Sequence, residues 1–326
     1  MVLLLFLLLR YWFTEGLLQQ QNYVLGHGQR LKRKMTSLSS LLPPWEQSMS
    51  NKSAPLLYMS LYKHQLERLE AMGAKELELP DHLAFAANEA KGSRMGSRCF
   101  LIDGIFRRIR MTYFDGGTSI QVFNSLWYPS LDRSDAPLLG IDLLSFGANK
   151  ANRLLCVIDA QPSAGRNPQT QQVSHDTSRL AAIHAKYVNT LGGTPSAKWY
   201  EDSRYFSSQM LYGTTETLGG LDGIAQTLLP AFQSYLDAYI DLVTSVDCNR
   251  IEKIQEHTDL TLERHAAYDE FNAARDPAHK LFTSYFGEHF AHDYVHNFLF
   301  SLSSSSKSSS LSSSLSSSSK DPNKLL

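Results

Sequence analysis

The residues whose types and spacing could do chemistry in this chain begin with Asp142, which sits inside the apolar run PLLGIDLL (residues 137–144). Burial disfavours the ionised carboxylate and raises its pKa, the property a proton donor near neutral pH requires. The competing reading is a strand-end aspartate bonded to backbone or to an arginine, because structural ion pairs also bury carboxylates. Asn124 interrupts the apolar face of residues 120–128. A buried amide without partners costs about 1–3 kcal/mol, so either a ligand or protein backbone must meet it. Asp276 precedes Pro277 at the start of a helical pattern. That is the sequence of a helix cap, and a cap can also donate a proton.

Three histidines, His289, His292 and His296, fall three and four residues apart, so their rings could share a helix face. No carboxylate or cysteine motif joins them, and the neighbouring Phe290, Tyr294 and Phe298 fit a helix packed on a core, so no metal is assigned. The sequence carries no glycine-rich dinucleotide loop, no P-loop, no GxSxG elbow and no cysteine cluster for iron–sulfur. If the chemistry is redox, no bound cofactor is expected and the electrons come from outside.

The elements that must position these residues follow from periodicity. Residues 56–72 place apolar side chains at helical spacing and stop at Gly73. Residues 106–114 alternate Ile109, Met111 and Tyr113 with Arg108, Arg110 and Thr112, the period of a strand. Asp115, Gly116 and Gly117 supply a turn into the strand at 120–128, giving an antiparallel hairpin. Residues 138–146 and 154–158 are apolar without alternation, which implies a sheet covered on both faces. Helical patterns follow at 180–191, 218–246, 262–274 and 286–300. Strands first and helices later predict an α/β fold, a three-layer α/β/α sandwich with a central antiparallel sheet.

A chain of 326 residues that is 43% hydrophobic and 11% aromatic can bury a large core. Lys+Arg 31 against Asp+Glu 32 gives no global field that would recruit nucleic acid. The cysteines Cys99, Cys156 and Cys248 form no CxxC pair, as expected in a reducing compartment. Residues 1–9 are apolar but too short to span a bilayer. Residues 1–52 are read as a targeting or non-native extension, poorly ordered, with Met35 as an alternative start. Residues 53–300 form the folded domain, and the serine-rich residues 301–326 are expected to be a disordered tail.

Four ordered blocks, FRRIRMTYFD (106–115), QVFNSLWYP (121–129), PLLGIDLL (137–144) and VIDAQP (157–162), give the chain a specific likeness. It resembles the ferredoxin-dependent bilin reductases. The likeness continues through WYEDSRYFS (199–207), RDPA (275–278) and YFG (285–287), covering about residues 56–300. The resemblance implies a linear tetrapyrrole, a bilin, lying between sheet and helices. It implies single electrons from a plant-type [2Fe-2S] ferredoxin alternating with protons from the protein, through radical intermediates.

By the same resemblance Asp142 and Asp276 are the catalytic proton donors and Asn124 contacts the substrate. Where some members carry an arginine a turn before the second aspartate, this chain has Asn272, and the adjacent Arg275 is taken as its substitute in substrate binding. The branch forming phycocyanobilin uses a histidine and a glutamate at the places of Asn124 and Thr112, which argues against that product. The wording of residues 127–129, 199–202 and 275–278 is most similar to the branch reducing 15,16-dihydrobiliverdin to phycoerythrobilin. The alternatives are the reductase making 15,16-dihydrobiliverdin from biliverdin and the enzyme performing both steps. Ferredoxin, the bilin and a second bilin reductase for channelling are the implied partners, in a plastid stroma or, alternatively, a cyanobacterial cytoplasm. Arg108, Arg110 and Lys150 are candidates for holding the propionates. A rival of another class is a bilin carrier or lyase, which needs a pocket but no proton donors.

Overall fold

The computed structural model describes residues 56–117, 119–133, 136–147, 153–163, 177–195, 198–245 and 254–303. Among them eight strands form one antiparallel sheet: β1 (Lys75–Leu77), β2 (Phe85–Asn88), β3 (Ser93–Ile102), β4 (Phe106–Asp115), β5 (Ile120–Pro129), β6 (Leu138–Phe146), β7 (Arg153–Gln161) and β8 (Leu211–Thr214). Their order is β1-β3-β4-β5-β6-β7-β8, with β2 also pairing with β3 beyond β1's register. The centre, β3 to β7, is a meander in which each strand pairs with the next in sequence, so short turns set the register. At one such turn the carboxylate of Asp115 accepts the N–H of Gly117 at 3.0 Å, and Gly117 takes φ 67°.

Two separate cores follow from the two faces of that sheet. On the first, Ile109, Met111, Phe123, Trp127, Ile141 and Ile158 pack against α1 (Met59–Ala71), α2 (Ser178–Leu191) and α3 (Leu229–Thr244). The buried stripe of α3 runs through Phe232, Tyr235, Leu236, Tyr239, Ile240 and Val243, the spacing that presents one helix face to a sheet. Each such large side chain contributes about 1.5–3 kcal/mol by leaving water. Some of the polar atoms this buries are paired with one another. The Gln65 amide donates to Ser125 Oγ at 2.8 Å, Ser125 donates to the Arg110 carbonyl at 2.8 Å, and the Trp127 indole donates to Ser125 Oγ at 3.1 Å.

On the second face Phe114, Leu126, Tyr128, Leu144 and Val157 meet residues from α4 (Ile254–Ala273), α5 (Ala278–Phe286) and α6 (Glu288–Asp293). Helix α6 runs on into a wide π turn, Tyr294–Leu299. The three-layer α/β/α sandwich expected from the sequence is the fold observed.

Several boundaries differ from expectation. The sequence reading assigns no strand to residues 93–102, where Gly96 and two arginines break the alternation, yet β3 pairs with β4 along most of its length. The helix expected at 286–300 starts only at Glu288, because Gly287 at φ 93° separates it from α5, and it changes to π winding at Tyr294. The first residues of the expected tail are ordered, with the Leu302 N–H donating to Asp269 Oδ2 at 2.8 Å and Arg108 bonded to Ser301 Oγ. The expectations for residues 1–52, Lys150, Cys248 and the tail beyond Ser303 lie outside the described residues.

Candidate active site

The residues singled out for chemistry lie on the second face of the sheet. In the β4-β5-β6-β7 register Thr112 stands opposite Asn124, Asn124 opposite Asp142 and Asp142 opposite Val157, so the first three form a row across the sheet centre. Asn124 and Asp142 keep part of their surface open although they occupy the middle of central strands, and so does Gly140. Asp276 and Met210 are also only half-buried, and so is Tyr212 of β8, which pairs with Val157 and continues the row. Partly open side chains between a sheet centre and its covering helices single out the boundary of the two layers, called the crevice below, as the place for a ligand.

Glycine is required at 140 by packing. A Cβ there would stand 2.6 Å from Gln161 Oε1 and 2.8 Å from its Cδ, and the Tyr268 hydroxyl holds that amide in place.

Within the crevice the carboxyls are perturbed together. Burial pushes the pKa of Asp142 up to about 7, the negative charge of Asp276 adds to the rise, and Asn124 partly opposes it. The Asn124 amide donates to Asp142 Oδ1 at 3.4 Å, a long contact that leaves most of both groups' hydrogen-bonding capacity for a ligand. Burial also lifts Asp276, to about 6, against the pull of the Ala278 N–H and of the Arg110 charge. Asp276 Oδ1 accepts that N–H at 2.7 Å, so the residue does cap the first turn of α5. Two neighbouring carboxyls whose pKa values burial raises toward neutrality are an acid pair that can hold a proton at physiological pH and pass it on.

Polar neighbours complete the site. The Tyr294 hydroxyl donates to Thr112 Oγ1 at 2.9 Å, and Thr112 Oγ1 lies 2.9 Å from Ser97 Oγ. Tyr200, buried in the same core, has its pKa driven well up by burial and then by the charges of Asp142 and Asp276. Arg110 is buried on this face and Arg108 is half-buried beside the ordered start of the tail. Arg275 is not brought to the pair: it is exposed, stacks 3.9 Å from the ring centroid of Phe271 and donates to the Phe271 carbonyl at 2.8 Å. On the surface away from the row, His292 and His296 have ring centroids 4.7 Å apart, and no group able to hold a metal occurs among the described residues.

Asp159 was missed by sequence reasoning. It lies on β7 facing the same side, fully buried, with its pKa pushed by burial to about 7 against hydrogen bonds from the Ser207 N–H at 3.0 Å and the Ser207 hydroxyl. The signal that picks out Asp142, a carboxyl within an apolar strand run, applies equally to LLCVIDAQ (residues 154–161). Asp159 tethers the loop that carries Tyr200, Tyr205 and Phe206 onto the sheet.

Two carboxyls and an amide partly open above the sheet centre suit a ligand that must be protonated. The family profile described as ferredoxin-dependent bilin reductase matches residues 63–301, and the chain belongs to that family. Membership implies ferredoxin as electron donor and a bilin as substrate, and the protein is an oxidoreductase. The 15,16-dihydrobiliverdin:ferredoxin oxidoreductase of Nostoc punctiforme is 34% identical over 242 residues, 70% of this chain and 89% of the relative. The enzyme of the same name from Parasynechococcus marenigrum (strain WH8102) is 33% identical over 227 residues, 68% and 87% of the two chains. The fold is shared with tomato phytochromobilin synthase in its crystal structure with biliverdin, at 18% identity and TM-score 0.59, covering 75% of this chain and 83% of that one. No helix among the described residues is long and apolar enough to cross a membrane.

Proposed function

We propose that this protein catalyses the ferredoxin-dependent two-electron reduction of biliverdin to 15,16-dihydrobiliverdin. The observation that carries the reading is the pairing of Asp142 and Asp276 over the sheet centre, in a chain whose relatives bear the name of that product. The finer expectation drawn from residues 127–129, 199–202 and 275–278, reduction of 15,16-dihydrobiliverdin to phycoerythrobilin, gives way to its alternative for the same reason. Those short blocks carry fewer residues than the 227–242 aligned in the relatives.

The proposed reaction consumes two electrons, one from each of two reduced ferredoxins, and two protons. The first electron makes the bilin more basic, and Asp142, which keeps its proton to about pH 7, transfers it to the radical anion. The second electron and a proton drawn through Asp276 complete the reduction, and both carboxylates are reprotonated from solvent. Asn124 orients the tetrapyrrole through the hydrogen-bonding capacity that its 3.4 Å contact leaves over. The propionates need a cation at the crevice mouth, a role Arg108 fits better than the displaced Arg275. A ferredoxin of acidic surface docks where the bilin edge is exposed. A plastid stroma, a cyanobacterial cytoplasm as its alternative, and a second bilin reductase as recipient of the product remain parts of this proposal.

Anaerobic assays with reduced ferredoxin test it, offering biliverdin and 15,16-dihydrobiliverdin separately. Conversion of biliverdin to 15,16-dihydrobiliverdin with no further product is the expected result. Phycoerythrobilin from 15,16-dihydrobiliverdin would return the protein to the other branch, and binding of either bilin without turnover would make it a carrier.

A further inference from the structure

One amide on the crevice side of the sheet is held at one end only. Gly140 lies on β6 two residues from Asp142, so both belong to the same face, and Gly140 stays half-open. The place of its missing side chain is taken from the next strand. The amide of Gln161 on β7 lies over it, with Oε1, Cδ and Nε2 at 2.6, 2.8 and 2.9 Å from where a Cβ would stand. The other β7 side chains of this face near Gly140 are accounted for: Val157 is apolar and packed in the second core, and Asp159 gives both oxygens to Ser207. Gln161 differs. Its Oε1 accepts the Tyr268 hydroxyl, and the Tyr268 ring is fixed edge-on to those of Tyr128 and Tyr205, at 6.3 and 6.1 Å between centroids. Its Nε2 has no hydrogen-bond partner among the described residues, although the residue is only 6% exposed. An amide donor so enclosed, left without an acceptor, costs about 1–3 kcal/mol. With Oε1 committed to Tyr268, what Gln161 offers the crevice is a pure donor.

We propose that Gln161 is a bilin-binding residue: its Nε2, set over Gly140 beside Asp142, donates to a terminal lactam carbonyl oxygen of the tetrapyrrole, and Tyr268 holds the amide in that orientation. The inference rests on the proposed function and adds a substrate contact to it. A bilin carries three kinds of polar group. Its propionates are charged and need a cation, whereas the Gln161 amide has the carboxyls of Asp142 and Asp159 on the same sheet face, a poor place for a further anion. Most of its ring nitrogens carry hydrogen and donate. The lactam oxygens only accept, and they are neutral, which is what an enclosed uncharged donor recognises. The contact also explains the glycine, because any side chain at 140 would push the amide away from the place where it meets the ligand. Asp142 then has an amide on either side, Asn124 across the strand pair and Gln161 over the next same-face position of its own strand.

The test uses the full chain and absorbance titrations with biliverdin and with biliverdin dimethyl ester, in which the propionates are masked and the lactams kept. Gln161→Glu keeps an oxygen for Tyr268 and exchanges the donor for a carboxyl oxygen. Gln161→Met/Tyr268→Phe removes the donor together with the hydroxyl that Gln161→Met alone would strand, so its melting temperature is expected to stay near the parent's. The double variant is expected to bind both ligands about tenfold more weakly than the parent. Gln161→Glu is expected to lose at least as much at pH 9, where the carboxylate faces the lactam oxygen. Relative to the parent at each pH it is expected to recover toward pH 6, where a protonated carboxyl donates again. Affinity equal to the parent's in a folded double variant would overturn the proposal. So would a loss seen with biliverdin but absent with the ester, which would assign the contact to a propionate. The titrations need no ferredoxin, so the two claims fail separately: a parent that binds biliverdin without reducing it sinks the reaction alone, and one that binds no biliverdin sinks both.

Discussion

Replacing Asp142 by asparagine changes almost no volume but removes the one strand carboxyl whose proton the mechanism spends. Its pKa of about 7, against an ordinary 3.8, means the folded protein binds that proton more tightly than the unfolded chain does. Stability from this group is therefore fully present below the unfolded value and is lost as pH rises from about 4 to about 7. A shift of some three units at about 1.4 kcal/mol each amounts to about 4 kcal/mol, and the part of Asp142 open to the crevice screens this to about 2–4 kcal/mol. Urea denaturation of the free protein between pH 4 and pH 8 reads the effect. Asp142→Asn is expected to match the parent at pH 4 and to exceed it by that margin at pH 8, while turnover under reduced ferredoxin falls by about 10²- to 10⁴-fold. Parallel stability curves for the two proteins would refute the burial argument, and normal turnover by the variant would remove Asp142 from the proton path.

Other substitutions probe the surrounding supports. Asp276→Asn keeps an oxygen for the Ala278 N–H but removes the charge that lifts Asp142, so the Asp142 titration is expected to move below 7, measured by carbon NMR. Gly140→Ala drives a methyl group against the Gln161 amide that Tyr268 holds, and is expected to cost about 1–3 kcal/mol and weaken bilin binding, read by thermal melts and absorbance titration. Tyr128→Phe strips Asp269 of its hydroxyl donor and is expected to destabilise by about 1–3 kcal/mol in urea, with loosening of residues 301–303 seen as faster hydrogen exchange.

The fold was legible where periodicity is strict. Residues 106–115 alternate because β4 lies in the middle of the sheet, paired with β5 along nearly its whole length, and the apolar runs of β6 and β7 announce a sheet covered twice. Strand β3 was not legible, because polar residues in it take partners distant in sequence, as Arg98 does in Glu76 and Ser97 in Thr112. The settings of Asp142 and Asp276, though not their roles, were legible for a local reason, a carboxyl in an apolar run and a capping aspartate before proline. What the sequence could not carry is which way the neighbouring cation turns. Arg275 is next to Asp276 in the chain but turns outward onto Phe271. Adjacency in sequence says little about charge in a site assembled from a sheet and a distant helix start.

The claim that a protonated carboxyl waits in the crevice is tested most directly by infrared difference spectroscopy of the parent and Asp142→Asn proteins between pH 5 and 9. Asp159 titrates in the same range and is common to both, so the difference between the two proteins isolates Asp142. A protonated-carboxyl band that disappears with a midpoint near 7 in the parent, and that is missing from the variant, is the expected result. A band unchanged by the substitution, or none titrating above pH 5, would contradict the account.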